Sequence, residues 1–333
     1  MSDSTLTSPE ETTRPAAKAG SWYVDRPTAL GRELDKYLAA VPDTINGSSL
    51  PIPGARIVIA PHAGYTYSGP CAAWAYKSLD LSKAKRVFVL GPSHTYYLQG
   101  CAVTSFDNYA TPFGDLKVDR DAIQRVKEAA GMRDIRQSND IKEHSLEMHL
   151  PYLYKRLEQT FGSPEKFPPI VPILIGDNGR DAEKAVGRAL APWVMDEENA
   201  FIVSSDFCHW GSHFDYLPYS QTNQASRLLF LDPRGRVPSG PPIHETIKAV
   251  DQSAMDAVES GVHDKFYDDL KMTKNTVCGR HPIGVMMAAL EVLRRQVGDQ
   301  QRGQFQIIQY DRSALVEEPS DSSVSYVAAY AVA

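Results

Sequence analysis

His62 stands in Ala60-Pro61-His62-Ala63-Gly64-Tyr65-Thr66-Tyr67-Ser68-Gly69, directly after the apolar run Ile57-Val58-Ile59. The arrangement recurs along the chain. Gly91-Pro92-Ser93-His94 follows an apolar run at 86–90, and Ser205-Asp206-Phe207-Cys208-His209-Trp210-Gly211 follows another at 201–204. Imidazoles gathered with a carboxylate or a thiolate suit a transition metal, and imidazole itself accepts zinc, copper or iron. Cys278, in Thr276-Val277-Cys278-Gly279-Arg280-His281-Pro282-Ile283-Gly284, is a candidate third donor. A helical pattern starts just after it, so the helix dipole, with Arg280 if near, would favour the thiolate. One thiolate beside two imidazoles leans towards zinc or copper over magnesium or calcium and leaves iron open.

Each residue also has a plainer use. A lone histidine after a strand is commonly a loop or core residue, and a lone cysteine a small buried apolar one. Asp206 and His209 can cap a helix, and His281 can fix the turn before Pro282. Joint occurrence at strand ends is what favours a site. Glu143-His144-Ser145-Leu146-Glu147-Met148-His149-Leu150-Pro151 is a second signal. Leu146, Leu150, Leu153 and Leu157 make an apolar stripe, so a helix over 145–160 should pack on the sheet with Glu143 and His144 aimed at the crevice. No histidine leads the pair as in HExxH. His149 reads as hydrogen bonding at the helix entry. His213, His244 and His263 lie in polar segments that read as exposed and without a role.

The elements that must position these residues alternate. Strands are expected at 57–59, 86–90, 170–175 and 201–204, and again at 305–310 and 323–332. Helices are expected at 27–41, 70–79, 120–130, 145–160, 181–194 and 283–296. That alternation predicts an α/β fold, one domain with a central, mostly parallel sheet flanked by helices. His62, His94, Asp206 and His209 would then converge just past strand ends, where ligands bind in open α/β sheets. Residues 1–16 are rich in Ser, Thr, Glu and Pro and read as a disordered tail, leaving a domain over 17–333. A proline-rich stretch at 231–243 reads as an exposed insertion.

Composition narrows the class. The 333 residues carry 35 Lys and Arg against 41 Asp and Glu, a net charge of −6, with no basic run for nucleic acid. No apolar stretch approaches a membrane span, and no signal-peptide layout opens the chain. Four scattered cysteines, Cys71, Cys101, Cys208 and Cys278, are expected as free thiols of an intracellular protein, Cys71 and Cys101 structural.

Together the motifs Ala19-Gly20-Ser21-Trp22-Tyr23, Ala60-Pro61-His62-Ala63-Gly64-Tyr65, Leu90-Gly91-Pro92-Ser93-His94, Glu143 to Tyr152, Ser204 to Gly211, Cys278 to Gly284 and Asp321 to Tyr326 resemble the Memo family, named for a mediator of receptor-tyrosine-kinase-driven cell motility. The resemblance runs from about Ala17 to the end. The tail and the proline-rich insertion depart from it, which would suit a fungal member. It implies a fold similar to the class III, LigB-type extradiol dioxygenases, non-haem iron enzymes with two histidine ligands, one glutamate ligand and an acid/base histidine. Carried over, His62 and His94 match the histidine ligands, Cys278 stands at the carboxylate ligand and His209 at the acid/base histidine. Asp206 and His144 would line the same pocket. Thiolate for carboxylate softens the site towards copper or a retuned iron and weighs against ordinary catechol cleavage. The resemblance thus implies one iron or copper ion, with oxygen or a small molecule as substrate, in a cytoplasmic or nuclear redox protein. The other implied reading is a silent adaptor that binds phosphotyrosine or acidic peptides in that pocket. Hydrolysis through a metal-bound water ranks below both.

Overall fold

The apolar runs at 57–60, 170–175 and 199–204 are buried at every position, as strands covered on both faces must be. The structure, a computed structural model, describes residues 11–333. One sheet contains β1 (Ile57–Ala60), β2 (Arg86–Pro92), β3 (Cys101–Val103), β4 (Arg133–Asp134), β5 (Ile170–Ile175), β6 (Asn199–Ser204), β7 (Asp206–Trp210), β8 (Phe305–Arg312) and β9 (Ser323–Ala331). Their spatial order is β7-β9-β1-β6-β2-β5-β3-β4, with β8 paired to β9. Helices α1 (Pro27–Ala40), α2 (Tyr65–Ser78), α3 (Arg120–Ala130), α4 (Gln137–Lys142), α5 (Leu150–Phe161), α6 (Arg180–Met195), α7 (Ile243–Glu259), α8 (His263–Thr273) and α9 (Arg280–Val297) accompany it. This is an α/β domain with a central, mostly parallel sheet flanked by helices.

Register decides where the site forms. β1, β6, β2 and β5 run parallel as consecutive neighbours, so their carboxyl ends share one edge. Ser204 pairs with Ala60, and Val203 with both Ile59 and Leu90. His62 and His94 each come two residues after their strands, and Asp206 comes two after β6. The three therefore leave the same edge. Antiparallel β9 then closes the sheet beyond β1, pairing Ala329 with Ile59.

Several elements differ from expectation, each for a local reason. Helix α2 starts at Tyr65, and Pro70 is carried inside it. The helix expected over 145–160 begins only at Leu150, after a 3₁₀ turn over Glu147–His149, because Pro151 belongs in a first turn. Asp206 and His209 are in strand β7, paired to β9, rather than in a loop. Pro172 is tolerated because the outer neighbour β3 pairs only from Ile173 onward. Helices α7 and α8 fill a stretch where sequence reading placed none.

The tail expected over 1–16 is corrected in part. Residues 1–10 lie outside the described residues. Thr13–Arg14 pairs with Asn108 and Tyr109, and Arg14 is 1% exposed. The stretch 232–236 is exposed throughout, whereas Ile243 is fully buried at the start of α7. His263 is also fully buried, against the exposure expected of it, since Glu183 supplies a buried partner. No helix of the described residues is long and apolar enough to cross a membrane. All four cysteines are unpaired.

Candidate metal centre

His62, His94 and Cys278 each offer one donor atom, and these atoms all lie within 4.8 Å of one another. Cys278 Sγ is 3.2 Å from His62 Nε2. His62 is almost wholly buried, whereas the His94 side chain keeps 28% of its exposure. The group is thus closed on the sheet side and open on the other. Two imidazoles and a thiol at this spacing fit a single soft or borderline transition metal, by donor chemistry alone.

Local structure explains why the chain brings them together. Gly91 leaves room for the segment that follows α4: a Cβ there would lie 2.6 Å from Ser145 Oγ. That segment carries Glu143, whose buried carboxylate accepts from the backbone N–H groups of His94, Thr95, His144 and Ser145 and from His94 Nδ1 at 3.0 Å. Burial alone would push the Glu143 pKa up. His94 and His144 outweigh it and hold the group at about 2. Cys278 is set by close approach of Gly279 to β6, and its Sγ accepts from the Asp206 backbone N–H at 3.2 Å.

The electrostatics of Cys278 run against the thiolate expected at the α9 N-terminus. Burial, reinforced by the nearby Asp206 carboxylate, pushes the Cys278 thiol well up. A metal binding there would have to displace the thiol proton. His62 is held neutral, its pKa pushed well down by burial and then by the neighbouring imidazoles. His144 is held at about 4, again mainly by burial.

The other candidates surround this group. His144 stacks on His94 at 4.4 Å between ring centres, packs against Trp22 in a tilted arrangement at 4.5 Å, and meets His62 edge-on at 5.3 Å. Asp206 accepts the His62 backbone N–H at 2.8 Å, and its carboxyl is pushed up by burial against the pull of His209 and that N–H. His209 takes its orientation from backbone instead. Its Nδ1 faces the carbonyls of Phe207 at 2.8 Å and Thr276 at 3.1 Å, and its Nε2 has no hydrogen-bond partner among the described residues. His149 is elsewhere, buried against Tyr76.

Arg14 and Trp22 escaped sequence reading as site residues. The Arg14 guanidinium donates to the Glu143 carbonyl at 2.7 Å and pairs with Asp140 and Glu147 on either side of it. Trp22 and Ala63 also line a cleft of about 550 Å³, together with Tyr67, Val324 and Tyr326. No sequence signal marks Arg14. Trp22 was visible only within the motif Gly20-Ser21-Trp22-Tyr23.

The comparisons with known proteins agree on one family. A family model described as Memo-like protein matches residues 14–330. A fission yeast protein (Schizosaccharomyces pombe) described as a MEMO1 family protein is 39% identical over 321 residues, 96% of this chain and 98% of the relative. The Caenorhabditis elegans Protein memo-1 homolog is 37% identical, covering 95% of this chain and 81% of the relative. Mouse Protein MEMO1 is 36% identical over 315 residues, 95% of this chain and 96% of the relative. A solved, uncharacterised Escherichia coli protein covers 81% of this chain and 98% of its own at 13% identity and TM-score 0.43, too slight a likeness to carry an argument. With the family model spanning the sheet and all three donors, and relatives matched nearly end to end, the chain belongs to the Memo family.

Proposed function

We propose that this chain is a metal-binding redox protein in which His62, His94 and Cys278 hold one iron or copper ion. The carrying observation is the approach of the three donor atoms to within 4.8 Å from three separate stretches of sequence. When bound, such an ion would supply one-electron chemistry towards oxygen or a small molecule. His209 is the proton-moving group, because both acceptors at its Nδ1 are carbonyls and Nε2 stays open. Asp206 holds the His62 backbone and sets the local charge, and His144 walls the open side between His94 and Trp22. In the cell this reading puts the protein in cytoplasmic or nuclear redox signalling linked to motility.

Metal analysis of protein purified without oxygen, wild type beside Cys278→Ser and His62→Ala, tests the reading. Near-stoichiometric iron or copper in the wild type, lost in both variants, supports it. No metal in the wild type after anaerobic reconstitution overturns it.

One observation favours a second reading, an adaptor that seats a phosphotyrosine or acidic peptide. The cleft lined by Trp22 and Tyr67 abuts the histidine cluster, and Tyr67 is 60% exposed. Binding of paired phosphorylated and unphosphorylated tyrosine peptides decides it; equal or absent affinity removes the adaptor.

A further inference from the structure

We propose that Ser204 and Glu143 are positioning residues that fix the tautomers of His62 and His94, so that both Nε2 lone pairs face the site. The argument is one of proton count. A backbone carbonyl can only accept, and Ser204 Oγ lies 2.8 Å from the Ser145 carbonyl, so the single hydroxyl proton goes there. The oxygen then has only lone pairs left for its other neighbour, His62 Nδ1, at 2.6 Å. Nδ1 must therefore carry the proton. A neutral ring carries one, so Nε2 is the lone pair, and it is the nitrogen 3.2 Å from Cys278 Sγ. This is the reverse of the Nε2–H form that a free neutral histidine side chain prefers.

His94 reaches the same state by a different acceptor. Both Glu143 oxygens already accept backbone N–H groups, so the carboxylate acts as acceptor throughout, and His94 Nδ1 donates to Oε1. Glu143 and Ser145 are two residues apart, so one short segment sets both rings. Arg14 grips that segment at the Glu143 carbonyl. The two rings are nevertheless unequal. His94 faces a carboxylate and His62 a neutral hydroxyl chain.

Nitrogen-15 NMR of imidazole-labelled, metal-free protein at neutral to mildly alkaline pH reads the tautomers directly. Expected for the wild type is a protonated Nδ1 and an unprotonated Nε2 on both His62 and His94. In Ser204→Ala, His62 should move towards the Nε2–H form while His94 stays unchanged. A wild-type His62 in the Nε2–H form, or a Ser204→Ala spectrum identical to wild type, would overturn the proposal. Its consequence for metal rests on the metal-centre reading: ferrous ion titrated anaerobically should bind Ser204→Ala about 10- to 100-fold more weakly. Equal ferrous affinity would count against the positioning role. Absence of ferrous binding in both proteins would strike only the metal-centre reading, because the tautomers are read without metal.

Discussion

Arg14 Nη1 lies 2.7 Å from Glu147 Oε2, and both side chains are sealed from solvent. The same guanidinium pairs with Asp140 at 3.0 Å and donates to the carbonyls of Asp140 and Glu143. Removing one partner of a buried ion pair costs about 3–5 kcal/mol, because the carboxylates left behind keep their desolvation penalty. Arg14→Met should lower stability by about that much in urea unfolding followed by circular dichroism. A loss below about 1 kcal/mol would mean that water replaces the guanidinium.

That pair also marks where sequence reading runs out. His62 and His94 were legible because proline or glycine stops an apolar run just before each, and a parallel sheet gathers such ends at one edge. Cys278 was legible as a candidate third donor because it stands just before a helical pattern, and the family motifs set it at the carboxylate-ligand position. Arg14 was invisible, since Asp140 and Glu147 are 126 and 133 residues away and nothing local points to them. Ser204 was equally hidden, because a serine ending a strand has many uses until its acceptor is seen. Helices α7 and α8 were missed for a different reason. Ile243, Ile247, Val250, Ala254 and Val258 do keep helical spacing and are buried, but the proline-rich run before them drew the reading towards a loop.

Gly279 allows Cys278 to sit against β6. A Cβ there would lie 2.3 Å from the Ser204 carbonyl oxygen and 2.3 Å from Ser205 Cβ, and a backbone atom inside a sheet cannot yield. Gly279→Ala should therefore push the start of α9 outward and carry Cys278 away from His62. The expected cost is about 1–3 kcal/mol in thermal unfolding. Ferrous binding by the still-folded variant should weaken with it, and unchanged affinity would show that Cys278 does not depend on this contact.

His263 links α8 to α6. Its Nε2 is 2.7 Å from Glu183 Oε2 and its Nδ1 3.3 Å from Asp264 Oδ1, while His281 shares Glu183, Lys184 pairs with Asp264 and Glu291 accepts the His263 backbone N–H. Burial pulls the His263 pKa down, but Glu183 and Asp264 outweigh burial and the net shift is upward. A histidine raised in the folded state stabilises fully below its unfolded value of about 6.5, and that contribution is lost as pH rises through the folded value. The stability gap between wild type and His263→Gln should be widest near pH 6 and narrow towards pH 9. A gap constant across that range would mean that the imidazole is neutral throughout.

His149 has the opposite sign. Its Nδ1 is 2.6 Å from the Tyr76 hydroxyl, its Nε2 is buried without a partner among the described residues, and burial holds its pKa at about 3. An unfolded histidine binds its proton near pH 6.5, so between that value and about 3 the unfolded state carries the extra proton and stability falls as pH falls. Integrated from pH 7 to pH 5, one such group removes about 2 kcal/mol. His149→Gln keeps an acceptor near Tyr76 but cannot titrate, so its stability should fall by about 2 kcal/mol less than wild type over the same interval. Urea unfolding at the two pH values measures the difference directly. If both proteins lose the same amount, the acid sensitivity belongs to other groups, and water or a shift of Tyr76 must already satisfy the His149 ring in its charged form.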